Sequence, residues 1–133
     1  KHMEFINLKD DLKKSVEQAE EYAIINLQNN VKFSPYISFG EKKIQKIIAD
    51  SVDEAIEIAQ EEIEDLDEET VVFVYKDKIQ LTDGTFDAII TQLFNEDEES
   101  GYSYGLAYKI ENGKISFLNK HIFLGNIRNC LVF

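Results

Sequence analysis

Few residues in this chain of 133 could carry out acid–base or metal chemistry. Apart from His2, the only histidine is His121, and the only cysteine is Cys130. A Ser-His-Asp or Cys-His site would have to use that histidine, and a zinc site needs three or four ligands. Both residues lie in apolar stretches, which favours packed side chains. The sequence therefore predicts no catalytic residue, no metal site and no cofactor.

Carboxylates are abundant, but their pattern does not favour catalysis. Glycoside chemistry needs two carboxyl groups in a cleft, one with a raised pKa, whereas here the acids crowd in runs typical of solvated surface. The segment Asp83–Asp87 lacks the alternating ligands and closing glutamate of a calcium loop, so a hairpin turn explains it. The six glycines are scattered singly and form no phosphate loop. We predict that the protein is not an enzyme.

The charge distribution is uneven. The chain has 26 acidic and 14 basic residues and a net charge of −12, which argues against nucleic acid and anionic membranes as partners. Residues 50–99 hold 18 of the acids and only 2 bases. The densest run is Asp53–Glu69, with ten acids and no base, and a second cluster is Glu96–Glu99.

Apolar residues at steps of three and four predict two amphipathic helices. The first covers residues 8–29, with Asn7 as its N-cap. The second begins at the capping box Ser51-Val-Asp-Glu54 and continues to about residue 66. Its apolar stripe faces inward, so four glutamates spaced at three and four residues form one outer strip: Glu57, Glu61, Glu64 and Glu68.

The remaining segments predict an antiparallel sheet. Residues 36–39 and 43–48 form a hairpin, with a short helix over 41–49 as the alternative. Later strands are joined by turns at Asp83-Gly84 and Asn112-Gly113. We predict an α+β two-layer sandwich in which both amphipathic helices pack on one face of the sheet. It forms a single domain over residues 3–133, and residues 1–2 are a cloning remnant.

Several short motifs follow one another in a recognisable order: Phe33-Ser-Pro-Tyr36, Ile37-Ser-Phe-Gly40, the Ser51-capped helix, Phe86-Asp-Ala-Ile89 and Gly101-Tyr102. Between about residues 8 and 118 the chain resembles a loosely defined family of small bacterial α+β proteins of unknown function. This resemblance implies the order of the elements and no activity.

The acidic runs have two interpretations, a solvated face that keeps the protein soluble or a docking surface for a basic protein. Small size, acidic charge and missing catalytic groups resemble the immunity proteins that bacteria pair with toxic nucleases. We therefore predict a cytoplasmic binding protein that occludes a basic partner. The predicted partner-binding residues are Glu57, Glu61, Glu64, Asp65, Glu68, Glu96, Asp97, Glu98, Glu99, Tyr102 and Tyr104.

Two other functions remain open. One is a small-molecule module or enzyme, whose pocket between helices and sheet is lined by Tyr36, Tyr102 and Tyr104. The other is a self-associating structural protein, a homodimer joined through a sheet edge or the apolar C-terminus Cys130–Phe133.

Overall fold

The computed structural model describes residues 2–118 and 120–133. Helix α1 spans Asp10–Gln28 and follows a 3-10 turn at Phe5–Asn7. Its N-cap is Lys9, which makes no side-chain capping bond, so the prediction of Asn7 as the cap was wrong. The first turn carries Asp10 and Asp11, whose charges suit the positive end of the helix dipole.

Helix α2 spans Val52–Glu64 and begins where the capping box predicts. The hydroxyl of Ser51 accepts a hydrogen bond from the Glu54 backbone N–H at 3.1 Å. The Glu54 carboxylate accepts in turn from the Asp50 N–H at 3.1 Å, one residue before the usual partner. The helix ends two residues earlier than predicted, because the chain turns at Asp65 toward the sheet.

Seven antiparallel strands form one curled, half-barrel sheet in the described residues. The strands are β1 Tyr36–Phe39, β2 Lys43–Lys46, β3 Thr70–Leu81, β4 Gly84–Asn95, β5 Ser100–Glu111, β6 Lys114–Phe117 and β7 Ile122–Arg128. Their order is β2-β1-β3-β4-β5-β6, and β7 also pairs with β5. The β1–β2 hairpin confirms the strand prediction for residues 43–46 over the helical alternative.

Both faces of this sheet are covered. Along β3, Val72 and Val74 pack in the cluster that contains α1, whereas Val71, Phe73 and Tyr75 pack in the cluster that contains α2. Successive strand residues point to opposite faces, so the helices lie on opposite sides of the sheet. The α+β class is confirmed, but the placement of both helices on one face was wrong.

The uninterrupted apolar run of β3 explains why the helices cover both faces of the sheet. A strand with one solvated face alternates apolar and polar residues, whereas a strand buried on both faces is apolar throughout. Residues 71–75 are all buried, as the second pattern requires.

Within the described ranges, neither helix is long and apolar enough to cross a membrane.

Candidate functional site

The two acidic clusters of the sequence meet at one end of the sheet. Thr70 opens β3 and pairs with Asn95, the last residue of β4. Directly beyond this pair, the Glu96 N–H donates to the Glu69 carbonyl at 2.9 Å. The Asn95 amide also donates to the Thr70 hydroxyl at 2.8 Å. Two segments that lie far apart in the chain therefore form one surface.

We call this surface the acidic end: Asp65, Asp67, Glu68, Glu69, Glu96, Asp97, Glu98 and Glu99. Most of these side chains are exposed, and only Glu68 and Glu98 are partly covered. No group of three or more His, Cys, Asp or Glu side chains in the described part of the chain is arranged to hold a metal ion. The exposed carboxylates make this end of the sheet strongly negative.

Hydrogen bonds from a buried asparagine hold the β4–β5 loop, which carries Glu96–Glu99, in place. Asn129 is 1% exposed, and its amide donates to the carbonyls of Asn95 at 2.9 Å and Glu98 at 2.8 Å. The Tyr102 hydroxyl donates to the Glu98 carboxylate at 2.7 Å. Burial, followed by this bond and the charge of Glu98, raises the pKa of Tyr102 to about 12, so the hydroxyl keeps its proton at neutral pH. The loop is thus anchored while its other carboxylates face solvent.

The predicted glutamate strip on α2 is present only in part. Glu57 and Glu61 are exposed on the outer face of the helix. Glu64 is exposed too, but Arg128 of β7 donates to its carboxylate at 2.8 Å. Glu68 lies beyond the end of the helix and lines a cleft beside the β1–β2 hairpin. The strip therefore ends at Glu64, and its last member is partly neutralised.

The tyrosines predicted to contact a partner or line a pocket are buried. Tyr36 and Tyr104 are 0% exposed and Tyr102 is 7% exposed, all in the core beneath α1. The Tyr36 hydroxyl donates to the Ala19 carbonyl at 2.5 Å and accepts from the Ala23 N–H at 3.1 Å. Since both side chains are buried, Tyr102 and Tyr104 cannot anchor a partner, and these predictions were wrong. They line neither of the cavities described next.

A cleft of about 510 Å³ lies beside the acidic end, between α1 and the β1–β2 hairpin. Its wall includes Asp11 and Ser15 of α1, Lys42 of the hairpin and the acidic segment Asp67–Glu69. A smaller hollow of about 180 Å³ adjoins it and is lined by Tyr22, Ile25 and Ile44. This cleft could not be predicted from the sequence, because its walls come from three separate segments.

The two residues singled out for chemistry both pack against neighbouring side chains. His121 packs against α1, where its imidazole meets the carboxylate of Glu20, a partner that the sequence did not indicate. Cys130 is 1% exposed among the apolar side chains beneath α2, and burial raises the pKa of its thiol. At the C-terminus only Val132 and Phe133 are exposed.

Comparisons with protein-family models, with curated proteins and with solved structures find no match for this chain.

Proposed function

We propose that this protein binds a basic protein partner through its acidic end and blocks that partner's basic surface, as an immunity protein does with a toxic nuclease. The observation that carries the proposal is the junction at Glu69 and Glu96, which joins two acidic loops. Eight carboxylates on two neighbouring loops create a strong local negative potential. Such a potential accelerates encounter with a basic protein and disfavours acidic ones.

The placement of these charges supports a role beyond solubility. Charges that only keep a protein soluble do not need to be concentrated, because net charge acts through the whole surface. Here the acidic end contains the C-terminal end of α2, which is the unfavourable end of the helix dipole for a carboxylate. A buried asparagine and a buried tyrosine fix the second loop in place. A fixed, concentrated charge pattern is suited to recognition of a complementary surface.

The test is affinity capture from the lysate of the native host with the wild type and two charge-reversed variants. E96K/E99K changes the acidic end, and D83K/E111K makes the same change of charge at the opposite end of the sheet. The control side chains are exposed and stand beside the β3–β4 and β5–β6 turns. A strand of 12 residues places the two ends about 35 Å apart. Each protein's thermal melt verifies that it is folded.

We expect the wild type and D83K/E111K to capture one basic protein at near-stoichiometric amounts, and E96K/E99K to lose it. Added salt should release the captured protein, since exposed charges are screened. Equal loss in both variants would indicate an effect of net charge alone. Absence of any stoichiometric basic partner would contradict the proposal and favour the solubility interpretation.

A further inference from the structure

The cleft and the hollow beside α1 form one continuous groove. Both are lined by Gln18 of α1, Ser38 of β1 and Lys42 of the β1–β2 hairpin. The cleft lies toward the N-terminal end of α1, and the hollow lies toward its C-terminal end. The groove is therefore bounded by the helix on one side and by the hairpin on the other.

The two halves of the groove differ in chemistry. The cleft carries four carboxylates, those of Asp11 and Asp67–Glu69, against one ammonium group, that of Lys42. Among the described residues, no ion pair within 4.0 Å includes any of these four carboxylates. The cleft thus has an excess of negative charge, and no described lysine, arginine or histidine forms an ion pair with these carboxylates.

The hollow at the other half is mainly apolar. Ile25 is 48% exposed and Ile44 is 39% exposed, although both are large aliphatic side chains. Tyr22 also lines the hollow and packs against the core, and the Lys46 ammonium lies 5.9 Å from the centroid of its ring. An apolar side chain placed here would remove aliphatic surface from water, at about 25 cal/mol per Å².

We propose that this groove binds an extended segment of the basic partner, with an arginine in the anionic half and an apolar side chain in the other half. The proposal rests on the proposed function and names the part of the partner that is recognised. Arginine suits the cleft because its planar guanidinium can donate to two carboxylates at once. From Ser15 to Ile25 the helix rises about 15 Å, and side chains four residues apart in an extended chain lie about 13 Å apart on the same face.

The test is a titration of the isotope-labelled protein with short peptides, followed by NMR. The probes are acetyl-Arg-Ala-Ala-Ala-Leu-amide and its reverse, acetyl-Leu-Ala-Ala-Ala-Arg-amide, because either direction fits the groove. We expect the better peptide to shift the backbone amides of Gln18, Ser38 and Thr70. Replacement of its leucine by serine, or of its arginine by glutamine, should weaken binding about tenfold.

Variants of the protein test each half of the groove separately. D67N/E69Q neutralises the anionic half, and I25S/I44S removes the apolar half; each should raise the Kd about tenfold. D83N/E111Q removes the same charge as D67N/E69Q at the opposite end of the sheet, away from the groove, and it should leave the Kd within twofold. A thermal melt of each variant shows whether it remains folded.

Three outcomes would overturn the groove proposal. Spermidine that binds as tightly as the peptide would indicate a site for small polyamines. Equal loss of peptide binding in D83N/E111Q would indicate unspecific attraction to the net negative charge of the protein. If no peptide binds while a basic protein is still captured through Glu96 and Glu99, the proposed function stands and the groove proposal fails. If the peptide binds but no partner is captured, the groove binds such peptides and the proposed function fails.

Discussion

The imidazole of His121 and the carboxylate of Glu20 form a buried pair that joins the strand layer to α1. The Nε2 atom of His121 lies 2.9 and 3.0 Å from the two carboxylate oxygens, and its N–H donates to them. The two side chains are only 12% and 5% exposed. The Phe5 ring stacks on the imidazole with the centroids 4.0 Å apart. These two contacts together fix α1, the segment before it and the residue preceding β7.

Removal of this histidine should destabilise the protein in a pH-dependent manner. Burial raises the pKa of Glu20 above 4.5, and the bond and charge of His121 oppose that rise. In H121A the ionised carboxylate would be buried without a partner, at a cost of about 3 kcal/mol at neutral pH. As the pH falls through the raised pKa of Glu20, its carboxylate takes up a proton in the folded state, so the cost should become smaller. Urea unfolding at a series of pH values measures this difference.

The direction of the Glu20 pKa shift suggests E20Q as a control variant. An acid with a raised folded-state pKa favours folding most at low pH, and this contribution decreases as the pH rises through the raised value. E20Q removes the titrating group, so E20Q/H121A should be less destabilised than H121A at neutral pH. A cost of H121A that does not vary with pH would contradict this account.

Local signals in the sequence were sufficient to predict most of the helices, strands and turns. The capping box at Ser51 begins α2, and Asn112 and Gly113 adopt φ of 52° and 76° in the predicted hairpin turn. The positions of the helices were less accessible, because the apolar run of residues 71–75 indicates a strand buried on both faces but not which helix covers each face.

The candidate site depends on long-range pairing. Glu69 and Glu96 meet because the β3–β4 hairpin keeps one register from Leu81–Gly84 to Thr70–Asn95. That register follows from the turn, so counting back from it would have revealed the meeting of the two clusters. No similar count locates the groove or the pair of Glu20 and His121, since both depend on packing between segments that share no hairpin.

Loss of the Tyr36 hydroxyl should have a small effect, although the group is buried. The hydroxyl bonds to the Ala19 carbonyl and the Ala23 N–H, which are themselves partners in an ideal helix. In Y36F these two groups can bond to each other, so we expect a cost of about 1 kcal/mol. Y36A should cost about 4 kcal/mol because it leaves a cavity. Urea unfolding distinguishes the two, and a similar cost for both would show that the hydroxyl bonds dominate.

Gly101 is required by close packing on the α2 face of β5. A Cβ atom at this position would lie 2.8 Å from Cε1 of Phe94 and 2.9 Å from Cγ1 of Ile127. We expect G101A to lower the free energy of unfolding by about 2 kcal/mol. At Gly105 the nearest atom would be the Leu124 Cδ1 at 3.3 Å, so G105A should cost less. Thermal melts of both variants test this order, and the reverse order would contradict it.

Asn129 should control the mobility of the β4–β5 loop. Its amide holds the carbonyls of Asn95 and Glu98, and its own carbonyl accepts from the Leu131 N–H at 3.1 Å. In N129A these groups lose a buried partner, at a cost of about 2 kcal/mol. Hydrogen exchange should become faster at residues 96–99. N126A, at an exposed position of β7, is the control, and equal exchange in both variants would show that the anchor is unimportant.

Neutralisation of the acidic end should stabilise the free protein. In D67N/E69Q/E96Q/E99Q fewer like charges repel one another, so at low salt the free energy of unfolding should rise by up to about 1 kcal/mol. The gain should disappear in 0.5 M salt, where the Debye length is only a few ångströms. If the same variant loses partner capture, the carboxylates reduce stability in return for binding, as functional surfaces commonly do. If it keeps capture and instead precipitates, the carboxylates serve solubility. Unfolding curves at two salt concentrations, together with capture, decide between these interpretations.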